Sequence, residues 1–156
     1  MTRRLCTIAV VMAVCLFWQS SVLAGGYVGV KTGAGAGIVG AELELPLQDR
    51  LSLLLQGGVA GTGDAAAVGG AIGLRGYASS GELRPFGTAY IGSIAASYFS
   101  WYTGTTTVVA VSYYGGTAGA KYERHNWYTS AEIGYAYVPA LEAGGLMFGG
   151  SLGIKF

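Results

Sequence analysis

Cysteine is absent from the chain after residue 15. The two cysteines, Cys6 and Cys15, both lie within the first 24 residues, which have the features of an export signal. The remaining 132 residues (156 − 24) can therefore form no disulfide framework and no cysteine metal site. A small exported domain without disulfides must be stabilised in another way.

Charge is also scarce. Charged residues make up 11% of the chain and hydrophobic residues 52%, whereas soluble domains are about 25% charged. After Arg3 and Arg4, seven basic residues stand against eight acidic ones, a net charge of 7 − 8 = −1 with histidine neutral. No run of Lys or Arg follows, which excludes the basic patch of a nucleic-acid-binding protein. Such a composition is hard to keep soluble in water.

Long apolar runs are missing after residue 24. No stretch there reaches 18 consecutive apolar residues, so helical membrane spans are excluded. Before it, Arg3 and Arg4 precede an apolar run over 5–18 that only Thr7 interrupts, and small residues follow at 22–24. This run of 14 residues is shorter than the roughly 20 of a spanning helix. We expect 1–24 to be a cleaved signal peptide and 25–156 to be one domain.

What the rest of the sequence does contain is residues that alternate in character. At the C-terminal end, every second position is apolar or glycine: Phe156, Ile154, Leu152, Gly150, Phe148 and Leu146. A period of two places these side chains on one face of a β-strand and the intervening small or polar residues on the other.

The same alternation, separated by turn residues, predicts eight strands. Their approximate ranges are 26–31, 38–47, 50–60, 65–77, 84–99, 107–123, 126–138 and 145–156. Outward connections in this arrangement are short, and only 100–106 approaches a real loop. The sequence therefore predicts an all-β domain.

The face opposite the bulky residues is rich in Gly, Ala and Ser, which is a poor water-facing surface. A closed barrel in lipid explains this composition, because bulky residues then face acyl chains and small ones fill a narrow lumen. On the fifth strand we expect Phe86, Tyr90, Ile94 and Tyr98 to face outward. The prediction is a single eight-stranded antiparallel up-and-down transmembrane β-barrel with a filled lumen.

Six charged residues are expected on the lumen side of this barrel, all in the half nearer the chain termini. They are Glu42, Glu44, Arg75, Lys121, Glu132 and Lys155. Three acids and three bases in a low-dielectric lumen favour pairing, so we interpret them as a plug of salt bridges. An exposed scatter of charges on a soluble sheet is the alternative.

Aromatic residues are expected to form two belts where the barrel meets water. One belt contains Tyr98, Phe99, Trp101, Tyr102, Tyr113, Tyr114, Tyr135 and Tyr137; the other contains Tyr77, Phe86, Tyr122, Trp127, Tyr128 and Phe156. Aromatic stripes in the core of a soluble barrel would use the same residue types.

With these features the chain resembles the small eight-stranded outer-membrane barrels of the OmpA/OmpX kind. The resemblance implies a bacterial outer-membrane location, contact with outer-membrane lipid and lipopolysaccharide, and recognition of Leu152, Ile154 and Phe156 by the barrel assembly machinery. This chain differs from the adhesive members of that family, which have long external loops, because its outward connections are short. Trp101 and Tyr102 are the candidates for a contact at the rim.

Catalytic motifs are lacking. The single histidine, His125, lies in a tight turn at the end opposite the outward rim, so we expect no catalytic base there. Glu42 and Glu44 are better explained as lumen ion pairs, and the glycine-rich 33–37 lacks the Lys-Ser/Thr of a phosphate loop. No metal site and no cofactor are expected.

The sequence favours a non-enzymatic outer-membrane barrel with a structural or surface-interaction role. Two alternatives stay open: a small porin-like channel, and a soluble secreted β-barrel that binds a small apolar ligand. The oligomeric state is not indicated.

Overall fold

The structure is a computed structural model that describes residues 25–34, 37–62, 65–100 and 102–156. The expected signal peptide, residues 1–24, lies outside the described residues, as does Trp101. In the described ranges no helix is long and apolar enough to cross a membrane.

Eight antiparallel strands close into a barrel in which each strand pairs with its neighbours in sequence, and β8 pairs with β1. The predicted fold class is therefore confirmed. The strands are β1 (Tyr27–Gly33), β2 (Gly37–Gln48), β3 (Leu51–Thr62), β4 (Ala65–Tyr77), β5 (Leu83–Ser100), β6 (Thr105–Arg124), β7 (Trp127–Val138) and β8 (Ala143–Lys155). The expected loop at 100–106 shortens to 101–104, because β5 and β6 are longer than predicted.

Register fixes the geometry of the barrel. Starting from Tyr27 on β1, one can move to the paired residue on each next strand until β8, where this path ends at Gly145. Across the β1–β8 seam, however, Tyr27 pairs directly with Lys155. The offset is 10 residues (155 − 145), and closed barrels of this kind tilt their strands by about 40°. A barrel of eight strands has an interior that side chains can fill.

The outer face is apolar, as the alternation predicts. On β8, Leu146, Phe148, Leu152 and Ile154 are 57–70% exposed and point outward. Outward residues of the other strands include Val30, Val59, Val68, Ile133 and Tyr135, each about half exposed. The inner face of the half near the chain termini is occupied by buried polar and aromatic side chains.

The predicted face of β5 is wrong. Phe86 and Tyr90 are buried in the lumen, Ile94 also lines the lumen, and Ile91 is exposed on the outside. The cause is register: Thr88 pairs with Arg75, and paired residues share a face of the sheet. Because Arg75 points inward, Thr88 and its neighbours at ±2 do so too.

The predicted aromatic belts are corrected in the same way. Tyr77, Phe86, Tyr113 and Tyr128 were expected in the belts and are buried inside the barrel. Glycines on neighbouring strands leave space for them: the Tyr128 ring lies where a side chain on Gly153 would be, with its Cε1 2.6 Å from that position. Trp127, Tyr135 and Phe156 do lie on the outer surface.

The wall of the barrel differs in height around its circumference. We call the end that carries Gly26 and Phe156 the terminal end, and the opposite end the far end. At the far end β5 and β6, with 18 and 20 residues, rise highest. β1 has 7 residues and ends at Gly33, so among the described residues the wall is lowest where β1 meets β2.

Candidate functional site in the barrel lumen

Six charged side chains fill the lumen in the half near the terminal end. They come from β1, β2, β4, β6 and β7, and we call them the plug: Lys31, Glu42, Glu44, Arg75, Lys121 and Glu132. Each is 0–7% exposed. Three acids and three bases give the plug a net charge of 3 − 3 = 0.

Arg75 is at the centre of the plug, since it contacts all three carboxylates. Its Nη1 lies 3.0 Å from Oε2 of Glu44, and its Nη2 lies 3.4 Å from Oε2 of both Glu42 and Glu132. Nε donates to Oγ1 of Thr88 at 3.1 Å. The guanidinium carbon also lies 4.2 Å from the centre of the Phe86 ring, a cation–π distance.

Two lysines complete the ion pairs. Lys31 Nζ lies 3.0 Å from Oε2 of Glu42 and also bonds Oε1 of Glu132. Lys121 Nζ lies 3.2 Å from Oε2 of Glu44 and 3.0 Å from the centre of the Tyr27 ring. A lysine on each side of Arg75 therefore leaves no plug carboxylate without a cation.

Neutral donors satisfy the remaining carboxylate oxygens. Tyr77 donates its hydroxyl to Glu44 at 2.5 Å, and Thr117 donates to Glu132 at 2.8 Å. Glu42 accepts from three further side chains at 3.1–3.4 Å: Gln56, Ser151 and Tyr128. In the described part of the chain, Gln56 Oε1 is the one buried side-chain polar atom without a partner. A buried ion cluster keeps its charges only with such complete hydrogen bonding.

The structure brings together five of the six residues that the sequence placed in the lumen cluster. Lys155 is not one of the plug residues: its side chain is 44% exposed at the terminal rim, where Nζ bonds Oε1 of Glu123 at 2.7 Å. Lys155 is the last residue of β8, so its inward-facing side chain reaches water below the plug. Lys31 takes its place in the charge balance.

The sequence reasoning missed Lys31, although a signal for it was present. Lys31 alternates with Tyr27 and Gly29 on β1, and a lysine on the small-residue face of a short strand fits the rule that found the other charges. It was overlooked because it stands at the end of the predicted strand, next to a glycine-rich turn.

A second, partly exposed charge group lies at the terminal rim. Arg84 Nη1 is 3.6 Å from Oε2 of Glu123, and the Tyr27 hydroxyl donates to the same oxygen at 2.7 Å. Lys155 joins this group through its ion pair with Glu123. Exposed pairs of this kind contribute little to stability, about 0–1 kcal/mol each.

Above the plug, towards the far end, the lumen becomes an apolar cavity of about 490 Å³. We call it the outer chamber. Its walls are mostly small residues, among them Gly58, Ala60, Ala67, Gly69 and Ala136. Larger apolar side chains also line it, namely Ile94, Tyr113, Val138 and Met147. This cavity could not be predicted from the sequence, because it depends on which small residues the register brings face to face.

The other candidate residues lie at the two ends or on the surface. Tyr102 is fully exposed in the β5–β6 turn, and Leu152, Ile154 and Phe156 are exposed on the outer face. His125 occupies the β6–β7 turn with a left-handed φ of 54°. Among the described residues no group of three or more His, Cys, Asp or Glu is placed to hold a metal ion.

Comparison with known proteins gives matches in structure only. No protein-family model matches the chain, and no curated protein sequence matches it. The N-terminal β-barrel domain of Pseudomonas aeruginosa OprF superposes with a TM-score of 0.72 at 18% identity, covering 85% of this chain and 97% of that one. Ail, the attachment invasion locus protein of Yersinia pestis, gives 0.56 at 11% identity, covering 85% and 95%.

Neisserial surface protein A is a third match, with a TM-score of 0.51 at 14% identity, covering 84% of this chain and 92% of that one. All three are barrels of nearly the same extent as the described chain. At these identities the likeness concerns the fold. The chain therefore has the eight-stranded barrel fold of the OmpA/OmpX-like outer-membrane proteins.

Proposed function

We propose that this chain is an integral barrel of the bacterial outer membrane, that its lumen conducts no solute, and that its role is structural or a surface interaction rather than catalysis. The single observation that carries the proposal is the plug. Its six charged side chains, each at most 7% exposed, fill the lumen across its width. An ion would have to break several buried salt bridges to pass.

The polarity of the two faces supports the proposed membrane insertion. Large apolar side chains cover the outer face, and the plug charges lie inside, the reverse of a soluble barrel. A strand of 12 residues, the length of β2, β3 and β7, rises about 30 Å at this tilt. This is sufficient to cross the roughly 25 Å apolar band of an outer-membrane barrel.

The proposed orientation places the terminal end in the periplasm and the far end outside, in contact with lipopolysaccharide. Leu152, Ile154 and Phe156 then form the signal that the barrel assembly machinery recognises. All three are accessible on the outer face of the last strand, where a binding partner can reach them before the barrel closes.

The rim contact is proposed for the β5–β6 turn. That hairpin rises highest, and Tyr102 at its tip is fully exposed. Ail is an attachment invasion locus protein, so a barrel of this fold can take part in surface contact. For the present chain we assign Trp101 and Tyr102 as the residues that would make it.

A small porin is the weaker alternative, because an ion in the lumen would have to cross the apolar cavity and separate the buried ion pairs of the plug. A soluble ligand-binding barrel is disfavoured for another reason: nothing in the described chain covers the apolar outer face. The apolar outer face extends around the barrel, and its area is much larger than that of the apolar patches on the surface of a soluble monomer.

Cell fractionation with gel electrophoresis tests the membrane proposal. We expect the chain in the detergent-soluble outer-membrane fraction, migrating faster when the sample is not boiled, because a closed barrel resists the detergent. Recovery from the periplasm without detergent would contradict the proposal.

A further inference from the structure

The outer chamber is apolar where a wet lumen would be polar. Its lining contains no charged side chain, although the plug lies directly beneath it. At the far end, further apolar residues on the inward face, such as Ile38 and Val109, remain more than half exposed. Water gains few hydrogen bonds from such walls, so an apolar occupant is favoured.

Aromatic residues separate the chamber from the plug. Tyr90 is two residues beyond Thr88, the residue that bonds Arg75, and its hydroxyl lies 3.9 Å from the sulfur of Met147 in the chamber wall. The Tyr90 and Tyr113 rings stack edge to face with centres 6.0 Å apart. The chamber therefore has a floor, and a ligand inside it is held away from the buried charges.

The size of the chamber is also suitable for a ligand. A volume of about 490 Å³ lies within the range of about 300–1,000 Å³ found for small-molecule sites. The space exists because Gly or Ala stands at facing positions of adjacent strands: Gly58 pairs with Gly69, and Ala60 pairs with Ala67. A long, narrow apolar group fits walls of this kind.

The low wall at β1–β2 brings the chamber next to the outer surface. Ala34 N bonds Phe148 O at 3.2 Å, and beyond this point the described residues of the β1–β2 hairpin do not pair with β8. Leu146 and Phe148, 70% and 66% exposed on the outer face, also border the chamber. The apolar lining of the lumen is thus continuous with the proposed lipid-facing surface.

We propose that the outer chamber binds one alkyl chain of a single-chain amphiphile, such as a long-chain fatty acid, with the polar head group at the mouth. The inference rests on the proposed function, because it requires the outer face to meet lipid. The low wall admits the chain, the small residues accommodate it, and the aromatic floor stops it above the plug.

Fluorescence of 11-(dansylamino)undecanoic acid tests the inference on the full barrel refolded in lipid nanodiscs. We expect a saturable component of one probe per chain above the linear partition into lipid. In the double variant Ala67→Leu with Ala136→Leu, which fills the chamber from β4 and β7, the saturable affinity should fall about tenfold, as overpacking of a fitted site predicts.

The matched control is Ala66→Leu with Ala131→Leu, on the outward faces of the same two strands, where the added methyl groups meet lipid. It should keep the wild-type affinity. Absence of a saturable component in the wild-type barrel, or equal affinities of the two double variants, would overturn the inference.

A second measurement does not depend on the variants folding. In nanodiscs of deuterated lipid, protonated palmitate should give nuclear Overhauser effects to the Ala67 and Ala136 methyl groups of the wild-type barrel. If these methyl groups show nuclear Overhauser effects to water and none to palmitate, the proposed binding of an alkyl chain is refuted. The proposed function fails separately, through ion conductance or a periplasmic location, which neither probe reports.

Discussion

Arg75 shows how one residue sets the charge balance of the lumen. It reaches Glu42, Glu44 and Glu132 at 3.0–3.4 Å, so it links all three acids of the plug. Removal of one partner from a buried ion cluster is costly, because the opposite charges remain buried without compensation.

The change Arg75→Met should therefore lower the free energy of unfolding by about 3–5 kcal/mol. Urea denaturation of the barrel refolded in lipid vesicles measures it. Lys155→Met is the control: this side chain is 44% exposed and pairs with a rim carboxylate, so its loss should cost at most about 1 kcal/mol. Equal costs for the two variants would show that the plug is not buried as described.

At this scale the sequence predicted the kind of site but not its full membership. Five of the plug residues follow from charges on the small-residue face of a strand. Lys31 follows from the same rule, but the exclusion of Lys155 could not be foreseen, since both lysines face inward and only their height along the axis separates them. That height depends on the 10-residue offset around the barrel, which alternation within single strands does not reveal.

At the scale of elements, β8 joins the two ends of the sheet. It pairs with β1 over seven positions, and Phe156 N donates to Gly26 O at 3.0 Å while Gly26 N donates to Phe156 O at 3.0 Å. The last residue thus has a structural role in closing the barrel in addition to the proposed role in assembly.

Substitution Phe156→Ala separates these roles, because it keeps both backbone hydrogen bonds and removes the ring. We expect the variant to refold in vitro but to show a reduced amount of heat-modifiable barrel in the outer membrane of cells. Normal assembly in cells would contradict the assignment of Phe156 to the assembly signal.

The β1–β8 seam also depends on close approach at Gly153. A methyl group there would lie 2.6 Å from Cε1 of Tyr128 and 2.5 Å from Cα of Gly29. Gly153→Ala should therefore destabilise the barrel by about 1–3 kcal/mol through overpacking. Gly145→Ala, on the same strand with nothing within 4 Å of the added methyl, should change stability by less than about 0.5 kcal/mol. Thermal unfolding of both variants in the same detergent measures this difference. Equal stabilities of the two variants would contradict the close approach of β1 and β8 at Gly153.

Strand positions were predictable because turn residues separate them, but one face assignment was not. On β5 the face opposite Phe86 and Tyr90 holds mostly small residues, with Ile91 as the exception, so the rule that bulky side chains face lipid predicted these two rings on the outside. Burial of Phe86 against Arg75 shows that this lumen uses aromatic rings to surround its charges. The pairing of Thr88 with Arg75 is tertiary information, and the alternation pattern does not contain it.

For the whole molecule, polarity changes along the axis as well as between the inside and the outside. The half near the termini holds a neutral plug of charges, and the far half holds the apolar outer chamber. The low charge content, together with the small-residue face of the strands, indicates a filled barrel in lipid. The chamber arises from glycine and alanine at facing positions, a property of the assembled sheet.

The plug is proposed to close the lumen. Single-channel recording of the refolded wild-type barrel in a planar lipid bilayer measures whether ions pass it. No steady current is expected at moderate voltage, because passage requires several buried ion pairs to separate. A steady ohmic current that changes its ion selectivity when Glu132 is replaced by Gln would show that ions pass through the plug and that the plug does not close the lumen.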